Sequence, residues 1–138
     1  MIPADDRGFT LGDGLFETVL ARAEARAASV DEALLLNTRG ELACAAAANL
    51  FWIAGGRLFT PALECGVLAG VTRAAVLARA SELGVEAHAV HADPEALVAA
   101  EAIFVTNALI GVREVADLDG RKLAPHRLTA QISGLLDT

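Results

Sequence analysis

The hydrophobic positions of this chain fall into short runs between turn signals, a pattern that predicts more strands than helices. Leu15–Leu20, Glu32–Asn37, Val85–Val90, Glu101–Thr106 and Val112–Leu118 each read as a strand. The second of these is closed by the turn Thr38-Arg39-Gly40-Glu41. Asn49–Ala54 and Arg57–Thr60 flank Gly55-Gly56 and predict a hairpin. Helical spacing predicts a helix from Val71 to about Leu83, with Val71, Ala74, Leu77 and Ala78 on one side. Ala21–Ala28 favours helix by composition, and Arg127–Leu136 forms a closing helix. Asp93-Pro94-Glu95 is a helix start, Asp93 as cap and Pro94 at the first helical position. Leu118-Asp119-Gly120-Arg121-Lys122-Leu123 reads as a hairpin turn and its flank. Because strands and helices do not alternate regularly, the pattern favours an α+β architecture over a doubly wound sheet.

One junction carries candidate chemistry. Gly66-Val67-Leu68-Ala69-Gly70-Val71-Thr72-Arg73 is a glycine-flexed loop running straight into a helix. The first free N–H groups of that helix, its dipole and the Thr72 hydroxyl make a site for a phosphate. The same residues also serve an ordinary loop-to-helix junction capped by its own polar groups.

Composition narrows the partners. The formal net charge is −7, with no basic stripe to neutralise phosphates, which argues against nucleic acid and anionic membranes as partners. No uninterrupted apolar run is long enough to span a bilayer. Met1-Ile2-Pro3-Ala4-Asp5-Asp6 has neither a basic start nor an apolar signal core, so a cytoplasmic location is expected. Cys44 and Cys65 fit a reducing compartment without a disulfide framework, and their spacing gives no metal motif. His88 and His91 lack helical metal spacing, and His126 follows Pro125 in a loop; a solvated or satisfied role is expected for all three. Asp13, between Gly12 and Gly14, is a turn residue.

Four segments occur in an order that adds to this reading. They are Asp6-Arg7-Gly8-Phe9-Thr10-Leu11-Gly12-Asp13-Gly14-Leu15-Phe16-Glu17-Thr18, Asn49-Leu50-Phe51-Trp52-Ile53, the Gly66–Arg73 loop, and Ile103-Phe104-Val105-Thr106-Asn107-Ala108-Leu109. In that order the chain resembles the class IV pyridoxal-phosphate enzymes. That family includes branched-chain and D-amino-acid aminotransferases and aminodeoxychorismate lyase. Ala46-Ala47-Ala48-Asn49-Leu50-Phe51-Trp52 and Asn107-Ala108-Leu109 look most like the lyase branch. The resemblance implies the family's α+β fold, mainly its larger C-terminal domain. Residues 1–20 would be a strand segment of the smaller domain, and residues 21–138 the cofactor-binding domain. It also implies pyridoxal 5′-phosphate as cofactor, a small-molecule amino substrate and a homodimer.

By the same resemblance, Val71, Thr72 and their amides hold the cofactor phosphate, and Leu68 packs against the pyridine ring. Asn107 and Ala108 supply further phosphate or substrate contacts, while Phe16 and Glu17 face the substrate. Ordinary roles stand beside these: a core position for Leu68 and Phe16, and a turn position for Asn107. Arg73 either offsets phosphate charge or is a solvated helix residue.

Two departures stand out. The family's Schiff-base lysine should precede a helix leading into the Asp31–Asn37 strand, yet the only lysine here is Lys122. Family segments that lie far apart elsewhere adjoin near Val19–Ala23, so the backbone there is expected to depart from an ordinary strand-to-helix connection. Cys44 stands where the family usually has a glutamate paired with the pyridine nitrogen. A thiol, with an ordinary pKa of about 8.5, is a weaker partner for that nitrogen. Glu41, three residues earlier, would point to the opposite face of a strand, and Cys44 also suits a small buried core position. Three functions follow: a lyase releasing 4-aminobenzoate and pyruvate from aminodeoxychorismate, an aminotransferase for branched-chain or D-amino acids, or a truncated, inactive binding or assembly module.

Overall fold

The computed structural model describes residues 33–136 except Ala46 and Ala47. The expected strand Leu15–Leu20, the helix Ala21–Ala28, the Val19–Ala23 junction, Phe16 and Glu17 lie outside the described residues.

Seven strands form the main sheet: β1 (Leu34–Leu36), β2 (Leu42–Ala45), β3 (Ala48–Ala54), β4 (Arg57–Pro61), β5 (Ala87–Val90), β6 (Ala102–Asn107) and β7 (Gly111–Glu114). β3 is its spine. Trp52 pairs with Phe59 of β4 on one edge and with Ile103 of β6 on the other. β2 pairs with the first residues of β3, through Cys44↔Asn49 and Ala45↔Ala48. Every pairing among these strands is antiparallel except β4 with β5, whose crossover carries the helix α1 (Val71–Glu82). β8 (Asp117–Leu118) and β9 (Arg121–Lys122) form a separate two-stranded sheet. A short 3₁₀ turn (Leu63–Cys65), the helical turn α2 (Glu95–Val98) and the helix α3 (Arg127–Leu136) complete the described elements.

The continuous apolar runs are explained by burial on both sheet faces. Leu50, Trp52, Ile103 and Val105 face one core together with Leu34, Leu42 and Leu97. Phe51, Ile53, Ala102 and Phe104 face the other, with Val76 and Ala80 of α1 and Leu128 and Ile132 of α3. On that second face the Phe51 and Phe104 rings stack with centroids 5.0 Å apart. The β3–β4 hairpin turns on Gly55 and Gly56, both at positive φ (59° and 74°), which suits the two-residue turn between twisted strands.

Among the described residues the expected elements are present, β2 (Leu42–Ala45) is an additional strand outside those expected, and three further differences stand out. The Val112–Leu118 strand is two pieces: β7 ends at Glu114, the Val115 N–H makes a last bond to the Ile103 carbonyl of β6 at 2.8 Å, and the chain pairs again at Asp117 in the second sheet. α2 has four residues and begins one position after Pro94, although Asp93 Oδ1 does accept the Glu95 N–H at 3.0 Å. The buried face of α1 is Arg73, Val76 and Ala80, not Val71, Ala74, Leu77 and Ala78. Val71 is 85% exposed. Helical periodicity fixes the spacing of a face but not which neighbour it meets; here Arg73 turns under the helix and donates from Nη2 to the Pro61 carbonyl at 3.3 Å.

His126 joins the elements at the far end of β3. Its Nδ1 accepts the Leu128 N–H at 3.1 Å, which leaves the ring proton on Nε2, 3.0 Å from Glu101 Oε2. Glu101 Oε1 in turn accepts the Gly55 N–H at 2.7 Å. The expectation of a satisfied histidine therefore holds for His126. The hydrogen bond from His126, followed by those from the Gly55 and Gly56 amides, holds the Glu101 carboxyl below the usual carboxylate range. A carboxylate depressed on folding stabilises the fold above its ordinary pKa and loses that contribution as acid protonates it. Melting temperature is therefore expected to fall between pH 6 and pH 3, and Glu101→Gln to flatten that fall while lowering the melting temperature at pH 7. Parallel profiles for the two proteins would show that Glu101 does not contribute.

Candidate functional site

The start of α1 is open. Its N-cap is Gly70, at φ −65° and ψ 146°, and no side chain caps it. The first intrahelical bond from a residue after the cap is Ala74 N–H to Gly70 O at 3.1 Å, so the Val71, Thr72 and Arg73 amides precede the helical ladder. Val71 and Leu68 are each 85% exposed, so neither covers these amides and the core reading of Leu68 is excluded. Thr72 is half-buried. Arg73 is neither solvated nor directed outward. It is buried, its Nε has no partner among the described residues, and desolvation lowers its pKa. Its charge thus lies beneath the positive end of the helix dipole, an arrangement unfavourable to the helix and favourable to an anion.

The sheet brings a polar row to the same place. Cys44 pairs with Asn49, and Asn49 pairs with Thr106, so three neighbouring strands present these side chains on one face. Asn49 is buried and donates from Nδ2 to the Leu68 carbonyl at 3.0 Å, tying β3 to the loop before α1. Thr106 is fully buried, and its hydroxyl has no partner among the described residues. A Cβ placed on Gly70 would lie 2.3 Å from Asn49 Oδ1, so only glycine permits this approach of the loop to the strand.

Leu68, Val71, Thr72 and Cys44 are thus joined at one corner, through Asn49. Asn107 and Ala108 follow Thr106 into the β6–β7 turn, at the same end of the sheet. Asn107 Oδ1 is engaged within that turn, accepting the Leu109 and Ile110 amides at 2.9 and 2.8 Å. The turn reading of Asn107 is therefore met. Leu109, 95% exposed, extends the apolar surface beyond this turn.

Glu41 does not replace the carboxylate missing at Cys44. Its Oε1 accepts from Asn37 Nδ2 at 2.8 Å and Arg39 Nε at 2.7 Å. These bonds, with one from His91, hold its carboxyl down at about 2. Lys122 is equally remote from the row. It pairs with Asp117, and the flanking Leu118 and Leu123 pack on the opposite face of the main sheet. Asn49 and Thr106 were not singled out from the sequence. Their signal was there: each is a polar residue at the end of an apolar strand run, where a buried polar group needs a partner.

Comparison with known proteins identifies the family of this fold. The amino-transferase class IV family profile matches residues 13–118. The branched-chain-amino-acid aminotransferase of Escherichia coli K12 is 30% identical over 116 residues, covering 84% of this chain and 38% of its own length. A protein from Legionella pneumophila named "Putative 4-amino-4-deoxychorismate lyase" superposes with TM-score 0.86 at 30% identity, covering 91% of this chain and 47% of that one. The branched-chain aminotransferase of the archaeon Thermoproteus uzoniensis superposes with TM-score 0.85 at 32% identity, covering 88% and 41%. The chain therefore spans less than half the length of these relatives.

Gly70→Ala is expected to push the Asn49 amide aside and break its bond to Leu68, lowering stability by about 1–2 kcal/mol in urea denaturation. In an Asn49→Ala background the same change should cost much less. Equal costs in the two backgrounds would show that the contact is not the cause.

Proposed function

The chain belongs to the amino-transferase class IV family, and on that premise we propose that it supplies the phosphate-binding part of a pyridoxal-phosphate enzyme of the lyase branch. The observation that carries the proposal is the uncapped start of α1 set beside the Cys44–Asn49–Thr106 row. The residues present fit the phosphate end of the cofactor. The amides of Val71 and Thr72 that precede the helical ladder, the Thr72 hydroxyl and the Thr106 hydroxyl, which has no partner among the described residues, all offer donors, and the buried Arg73 charge favours an anion. Leu68 and Val71 provide an apolar rim able to exclude water from a ring.

When bound, pyridoxal phosphate supplies an electron sink for a carbanion next to the amino group. This chain's part is to bind, orient and shield. Cys44 lies in the row beside Asn49, where a thiol would hold a ring nitrogen's proton less firmly than a carboxylate. That favours a narrow elimination over broad transamination. The lyase reading, aminodeoxychorismate to 4-aminobenzoate and pyruvate, draws support from the Ala46–Trp52 and Asn107–Leu109 motifs and from the likeness to the Legionella protein. Likeness to the Escherichia coli and Thermoproteus proteins favours an aminotransferase as the second reading, which assays with amino donors and pyruvate or 2-oxoglutarate would separate. Asn107, Ala108, Phe16 and Glu17 are assigned to contacts with cofactor or substrate by family position.

The single lysine limits what this chain does by itself. Covalent capture of the cofactor needs an amine in the pocket, and Lys122 lies in the β8–β9 hairpin. The chain is therefore expected to bind pyridoxal phosphate reversibly, and borohydride should trap no stoichiometric adduct that maps to the pocket. Pyridoxal without the phosphate should bind about tenfold to a hundredfold more weakly, the range for loss of charge-assisted hydrogen bonds. Equal affinity for the two, or a stoichiometric adduct in the pocket, would overturn this account.

A homodimer is part of the same proposal, because Leu68, Val71 and Leu109 expose apolar surface around the site. Light scattering that returns a stable monomer at micromolar concentration would remove it.

A further inference from the structure

Three side chains from separate segments converge beside the loop that leads into α1. Glu41 precedes β2, Cys65 closes the short 3₁₀ turn Leu63–Cys65, and His91 follows β5. His91 Nδ1 lies 3.0 Å from Glu41 Oε2 and 3.5 Å from Cys65 Sγ. The three donor atoms all lie within 4.8 Å of one another. Hydrogen bonding accounts for only part of this: the His91 ring serves Glu41 at 3.0 Å, while the Cys65 thiol reaches the Val90 carbonyl only at 3.9 Å. One ring nitrogen offers a single proton or a single lone pair in a single direction, so it cannot serve the sulfur and the carboxylate equally. A cation at the point of convergence engages all three. Tetrahedral zinc, with ligand distances of about 2.0–2.3 Å, sets its donors about 3.3–3.6 Å apart. Here His91 lies 3.5 Å from Cys65 and 3.0 Å from Glu41, and the third separation lies within 4.8 Å, so small side-chain shifts close the site on an ion.

The supporting bonds hold the donors in place. Glu41 Oε1 is taken by Asn37 and Arg39, which leaves Oε2 aimed at the convergence. The Asn37 side chain also accepts from the Glu41 amide at 3.0 Å and donates to the Cys65 carbonyl at 3.3 Å, so one buried amide links two ligand segments. The Leu42 N–H to Ala92 O bond, at 2.7 Å, ties the Glu41 segment to the His91 segment. The Ala62 N–H to Val90 O bond, at 2.9 Å, ties the Cys65 turn to the same strand end. Partners of this kind orient ligands and tune their affinity.

We propose that Glu41, Cys65 and His91 bind one zinc-class divalent cation, with water in the fourth position. A thiolate, an imidazole and a carboxylate form a donor set suited to zinc. Cys65 is fully buried while the His91 side chain is half exposed, so the open coordination position faces the solvent side. On binding, the Cys65 thiol releases its proton to solvent, and the His91 ring gives up the Nδ1 proton that faced Glu41 and carries its proton on Nε2. The thiolate and carboxylate then balance the dication. The bound ion clamps the Asn37–Glu41 turn, the end of β5 and the loop leading to Gly70. None of these ligands belongs to the Cys44–Asn49–Thr106 row, so the proposal stands or falls apart from the cofactor reading. Residue spacing hides the site, because its ligands come from three segments that only the fold unites.

The test uses the full chain, stripped with a chelator and titrated with zinc chloride by calorimetry, and with cobalt(II) as a spectroscopic probe. One equivalent should bind, raise the melting temperature, and give a sulfur-to-cobalt charge-transfer band with tetrahedral visible bands. Cys65→Ser should abolish the charge-transfer band, and His91→Gln should weaken zinc binding at least about a hundredfold. Cys44→Ser should leave both intact. Should Cys65→Ser fail to fold, His91→Gln decides the matter, since its side chain is half exposed. No saturable binding, a cobalt spectrum without the sulfur band, or a band lost with Cys44 rather than Cys65 would overturn the proposal.

Discussion

The burial of β3 constrains everything else in this structure. Between Asn49 and Ile53 the strand is paired on one edge with β6 throughout and on the other with β2 and β4 in turn, and it is covered on both faces. A polar side chain there has no route to water and must find a partner, because an unpaired buried amide costs about 1–3 kcal/mol. Asn49 finds the Leu68 carbonyl. That bond draws the loop onto the sheet, the draw requires Gly70 to lack a side chain, and the placed loop sets where α1 begins. The open amides of the candidate site follow from the needs of one buried asparagine.

Most of the fold was legible in the sequence because local signals and burial agreed. The Gly55-Gly56 hairpin, the β6 run and the closing helix Arg127–Leu136 all lie where turn chemistry and apolar patterning put them. The likeness to class IV enzymes, read from four ordered motifs, agrees with the family match over residues 13–118. The errors share a cause. Periodicity alone puts Val71, Ala74, Leu77 and Ala78 on one side of α1, whereas the side that meets the sheet is set by Arg73, which finds the Pro61 carbonyl beneath the helix. The break after Glu114 was invisible because Val115 remains apolar while changing its company. Its amide bonds to Ile103 O, and its side chain packs into the first core.

The candidate site was legible in part. The glycine-flexed loop and Thr72 were readable from spacing, and Cys44 was placed only through the family pattern. Asn49 and Thr106 were missed as site residues because strand propensity treats them as interruptions of an apolar run. Cross-strand register gives them a shared location that sequence order hides. The same holds for Glu41, Cys65 and His91, which lie far apart in sequence yet are joined by the Asn37 amide and two backbone bonds. Chemistry assembled across strands is visible only once register is known.

The acidic character of the chain bears on both corners. With a net charge of −7, the long-range field opposes the approach of an anion and favours that of a cation. An anion site on such a protein must therefore be made locally. The means here are short-range: amides at a helix start that no side chain caps among the described residues, and a guanidinium buried beneath them, where water screens it little. The carboxylate of Glu41 works with the overall field instead, and its bonds to Asn37 and Arg39 keep it ionised well into acid. The two corners thus differ in how salt should act on them. Screening relieves the repulsion of an anion by the acidic surface while leaving the buried Arg73 interaction largely intact, and it weakens the general attraction for a cation. Local geometry selects what binds at each corner, and net charge modulates how readily it arrives.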